Sequence, residues 1–92
     1  MTTRIAIISI VVEKSGDVDR LNRILHDYGD YIIGRMGIPY PKRDISLISV
    51  AMDAPADIIS AMTGKIGMLS GITSKALYAK QAAREAGNAA SD

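Results

Sequence analysis

The residues best placed for chemistry lie in Glu13–Val18, which reads Glu-Lys-Ser-Gly-Asp-Val and joins an apolar run to an amphipathic one. A loop that enters a helix brings backbone N–H groups to the helix N-terminus, where they can receive an anion or a carboxylate. Gly16 has no side chain to hold a ligand away from the backbone. Ser15, Gly16, Asp17 and Val18 are therefore the candidate ligand-binding residues, and an ordinary strand-to-helix turn is the alternative.

The other chemical candidates are weaker. His26 is the one histidine and the chain has no cysteine, whereas a first-row metal site needs three or four donors, so no metal site and no cofactor are expected. Asp17 and Asp19 flank the first helical turn, where carboxylates interact favourably with the helix dipole, and no general-acid partner lies nearby. Ser9, Ser46 and Ser49 fall inside apparent strands and form no Ser-His-Asp constellation. Gly64-Lys65-Ile66-Gly67 lacks the glycine spacing of a phosphate loop and the Ser/Thr after its lysine, so it reads as a helix end. No enzyme is expected from this set.

Length and composition narrow the field further. A chain of 92 residues is a single domain with a small core, which Ile, Leu, Val, Met and Ala must build because Trp and Phe are absent. Disulfides and metals are excluded as staples, which leaves oligomerisation. A net charge of +1 does not favour a nucleic-acid surface. Arg4 precedes the first apolar run, but no small-residue cleavage site follows it, and the run is too short to cross a bilayer. A cytoplasmic protein without a membrane partner is the expectation.

The elements that must position the loop read β-α-β-β-α-β. Ile5–Val12 is apolar on both faces, with Ser9 its one polar residue. Val18, Leu21, Ile24, Leu25 and Tyr28 recur at helical spacing, and Gly29 stops that helix. Tyr31–Gly37 is an edge strand, Ile38–Asp44 a proline-punctuated loop and Ile45–Met52 a second two-sided strand. Asp53 is the expected cap of a second helix with Pro55 in its first turn, and Ile58, Ile59, Met62 and Ile66 form its buried stripe. Ile72–Ala79 is the last strand. The domain is expected over residues 1–79, with a flexible Ala-rich tail over 80–92.

Right-handed crossovers put the first and third strands at the centre of an antiparallel four-stranded sheet, with Arg35 and Lys75 on the edge strands. The predicted fold is α+β, a ferredoxin-like βαββαβ sandwich with both helices on one face. The other face then stays apolar and bare, so a homodimer or homotetramer is expected, built face to face or edge to edge.

Several segments carry a family likeness. They are Ile7–Glu13, Leu25–Tyr28, Ile33–Pro39 with its Arg-x-Gly-x-Pro run, Ile45–Val50 and Ser60–Ile72 with Gly-Lys-Ile-Gly. Over roughly Arg4 to Tyr78 the chain resembles the iron-only hydrogenase system regulators, small ACT-like domains similar to the ligand-binding half of a nickel-responsive repressor. The resemblance implies a ferredoxin-like fold and a regulatory role connected with that hydrogenase system. The repressor's histidine and cysteine nickel ligands have no counterparts here, and with the first strand beginning at Arg4 no ribbon-helix-helix module is expected before it. The favoured function is a stand-alone oligomeric regulatory domain that binds a small effector or a partner protein. The alternative is a DNA-binding transcriptional regulator of the CopG or nickel-repressor type, using Arg20, Arg23, Arg35, Lys42 and Arg43.

Overall fold

The computed structural model describes residues 2–80. Strands β1 (Arg4–Val12), β2 (Ile32–Tyr40), β3 (Ile45–Ala54) and β4 (Ile72–Tyr78) alternate with helices α1 (Val18–Asp27) and α2 (Ala56–Gly67) in the predicted order. The strands form one antiparallel sheet in the order β2-β3-β1-β4. This is the ferredoxin-like α+β arrangement, with the two-sided strands β1 and β3 at the centre. The expected tail falls almost wholly on residues 81–92, which lie outside the described residues.

The core lies between the sheet and the helices. Ala6, Ile8, Ile10 and Val12 of β1 alternate inward and are buried, together with Val50 and Met52 of β3. Leu21 and Leu25 of α1 and Ile59, Met62 and Ile66 of α2 close over them. Each pair of core residues on a helix is spaced by three, four or seven positions, so one stripe of each helix meets one face of the sheet. Lys65 of α2 lies 5.2 Å from the ring centroid of Tyr28 and pins the two helices together at their ends.

Several boundaries differ from the expectation, each for a local reason. β2 does not end at Gly37 but runs through Ile38 and Pro39 to Tyr40, paired with β3 throughout. Proline is compatible with an edge strand because its missing N–H can face away from the ladder. The predicted loop shrinks to a 3-10 turn, Pro41–Arg43, closed by Asp44 in the left-handed region at φ 54°. Asp53 does not cap α2: it stays on β3 opposite Ile5, and Pro55 takes the N-cap position with no side-chain hydrogen bond. β4 stops one residue earlier than expected, at Tyr78. Val18 belongs to the apolar stripe of α1 by spacing, yet it is 48 % exposed, as the first residue of the helix at the edge of an open cleft.

Candidate functional site

The loop Glu13–Val18 leaves the end of β1 and turns directly into α1. It is held by a second loop, Met68–Gly71, between α2 and β4. The Glu13 N–H donates to the Gly71 carbonyl at 2.8 Å, and the Asp17 N–H donates to the Ser70 carbonyl at 3.2 Å. Within the loop, the Gly16 N–H donates to the Glu13 carbonyl at 2.8 Å and the Val18 N–H to the Gly16 carbonyl at 3.0 Å. The Asp17 side chain caps α1 by accepting from the Arg20 N–H at 3.2 Å, and it also pairs with the Arg20 guanidinium at 3.5 Å.

These bonds define what the four candidate residues do locally. The N–H groups of Gly16, Asp17 and Val18 are satisfied within the protein. The close approach at Gly16 is made by Gly71: a Cβ on Gly16 would come within 3.1 Å of the Gly71 carbonyl oxygen and 2.7 Å of Val12 Cγ1. Gly71 has φ +70°, and a Cβ there would meet the Gly16 backbone at 2.8 Å. The two glycines allow two loops to touch backbone to backbone, which no side chain would permit. Ser15 is exposed, and Gly16 and Asp17 are half-buried.

Next to this junction is an open cleft of about 340 Å³ between the end of β1, the start of α1 and the β2–β3 turn. Its volume is within the range of small-molecule sites. Of the four predicted residues only Val18 lines it; Lys14, Tyr40, Pro41 and Asp44 supply most of the opposite character, a cation, an aromatic ring and a carboxylate. Sequence reasoning assigned Tyr40 and Asp44 to a loop and missed them as a wall. The Pro39–Pro41 pair flanking an aromatic residue was the available signal.

The remaining candidates do not converge. His26 is exposed on α1. Ser9 and Ser49 face each other across β1 and β3, whereas Ser46 pairs with Val12 on the opposite side of the sheet. Among the described residues no group of three or more His, Asp or Glu side chains could hold a metal ion. No helix among them is long and apolar enough to cross a membrane.

The most prominent surface is the sheet face away from the helices. Its register forms three rows that span all four strands, Gly34-Ala51-Ile7-Leu77, Met36-Ser49-Ser9-Lys75 and Ile38-Leu47-Val11-Thr73, flanked by the shorter rows Asp53-Ile5 and Tyr40-Ile45. Ile7 is 43 % exposed, Met36 62 % and Leu77 70 %. A shallow trough of about 270 Å³ crosses this face between β1 and β2. Large apolar side chains thus occur on all four strands, interrupted at the centre by Ser9 and Ser49 and on the β4 edge by Lys75.

The family model described as "TM1266-like: Iron-only hydrogenase system regulator, putative" matches residues 4–76. Among solved structures, the chain is similar to the uncharacterized protein TM1266 from Thermotoga maritima, with 31 % identity and a TM-score of 0.81. The match covers 86 % of this chain and 100 % of that one. No protein with a curated description matches. The matched segment contains both helices, all of β1 to β3 and the two loops joined at Gly16 and Gly71. The chain belongs to the TM1266-like family of iron-only hydrogenase system regulators.

Proposed function

We propose that the protein is a non-catalytic regulatory component of the iron-only hydrogenase system in the cytoplasm, that it works as a homo-oligomer, and that it takes a small effector or a partner protein beside the Glu13–Val18 loop. The family membership supports the regulatory role. The observation that carries the oligomer is the bare sheet face, where Ile7, Met36, Ile38, Leu47 and Leu77 are all exposed. Exposed apolar surface of this kind marks an interaction site. The cleft beside Val18 supports the effector site, because its far wall belongs to the β2–β3 turn and its near wall to α1.

An effector held there would bear on two elements at once. It would shift the protein between arrangements only in so far as it binds one better than the other. Direct DNA binding has less support: the basic residues are scattered and net charge is +1. The test is a thermal-shift screen of the full chain against amino acids and nucleotides, repeated on Tyr40→Ala. A ligand that raises Tm for the native chain and not for the variant supports the reading. A ligand that raises both equally, or no shift with any compound, counts against the effector site.

A further inference from the structure

We infer that the bare sheet face is the contact between two copies of this chain, packed face to face about a two-fold axis that runs parallel to β1 and β3. The inference deepens the oligomeric reading above and rests on it. It adds the face-to-face packing and the symmetry.

The face is large enough for such a contact. Four strands at about 4.8 Å spacing and about 3.3 Å per residue give a plan of roughly 19 by 25 Å, or about 500 Å². Side-chain relief raises the accessible area toward the roughly 800 Å² per partner of a standard interface. A second copy suits it because a two-fold contact needs one surface that complements itself.

Two in-plane axes would superpose the whole face on its copy, and Lys75 separates them. The row Met36-Ser49-Ser9-Lys75 is the middle row. An axis across the strands through this row would place Lys75 beside Lys75 of the partner subunit, two like charges opposed on the same β4 edge. An axis along the strands, between β1 and β3, places β4 over the partner's β2. Lys75 then lies along Met36 of the partner subunit at the rim, where its alkyl stem is covered and its ammonium reaches water.

The same axis fits side-chain sizes in the adjacent row. Leu77 comes to rest over Gly34 of the partner subunit, and Ile7 over Ala51 of the partner subunit. Gly34 has nothing within 4 Å of where its Cβ would stand, so the space above it is open to an incoming Leu77. Large residues thus meet small ones, as two packed sheets require.

The chain has no cysteine, so the geometry can be read with single introduced thiols. Sedimentation of the full native chain should give a dimer or a multiple of it, and Ile7→Lys should reduce the mass to that of one chain with an unchanged far-UV spectrum. After subunit exchange, a mixture of Lys75→Cys and Met36→Cys should be linked by a bis-maleimide of about 10 Å reach, the spacing of packed sheets. Neither variant alone should be linked to itself. A monomeric native chain overturns both this inference and the oligomeric reading. An assembly that survives Ile7→Lys keeps the oligomer and overturns this surface, and self-linkage of Lys75→Cys overturns the axis.

Discussion

At the residue scale, Gly16 and Gly71 matter most. From the sequence, Gly16 was legible as a position of close approach, because a glycine at a strand-to-helix junction lets something reach the backbone. What reaches it was not legible, since Gly71 lies 55 positions away and nothing local marks the two as neighbours. Gly71 follows a helix end, where glycine is common whatever it touches. Gly71→Ala forces a side chain into φ +70° and against the Gly16 backbone at 2.8 Å. It should destabilise the fold by about 1–3 kcal/mol, measured as a lower urea midpoint at constant slope. Gly64→Ala should act with the opposite sign. Gly64 sits inside α2 with nothing within 4 Å of its missing Cβ, so alanine there should add about 0.5–1 kcal/mol in the same assay.

At the scale of elements, the strongly periodic segments were readable and the boundaries were decided by neighbours. Alternation in β1 assigned Ala6, Ile8, Ile10 and Val12 to one side, and those are the buried ones. The extent of β2 depended on β3 continuing to pair with it past Pro39, which no property of Ile38–Tyr40 alone specifies. Asp53 has the chemistry of a cap, but pairing with Ile5 keeps it in the sheet, and Pro55 opens α2 instead. Asp17 is the aspartate that caps a helix here. Asp17→Ala removes the acceptor for the Arg20 N–H and should cost about 1 kcal/mol in equilibrium unfolding. Asp17→Asn keeps an acceptor oxygen and should lose only a fraction of that. Equal losses in the two variants would mean that the charge pairing with Arg20, and not the cap, supports the start of α1.

At the scale of the whole molecule, the decisive feature is an imbalance between two faces of one sheet. It was legible because β1 and β3 are apolar on both sides, and the two helices of the described residues both pack on the face formed by Ala6, Ile8 and Ile10. The identity of what covers the other face is a property of two molecules, so one chain's pattern could state the need and not the geometry. If the folded chain is stabilised by a second copy, unfolding and dissociation are linked, and mass action must appear in the melting temperature. For a dimer, a tenfold rise in concentration adds about 1.4 kcal/mol per dimer, or about 0.7 kcal/mol per chain. In a domain of this size that moves Tm upward by about 3–6 °C. The native chain should therefore melt several degrees higher at each tenfold step in concentration, followed by circular dichroism. Ile7→Lys should melt at one temperature throughout, because its core, built on the other face, is untouched. A concentration-independent Tm in the native chain would mean that the two helices and one sheet face supply the stability on their own, and that the exposed isoleucines and leucines serve no partner of their own kind.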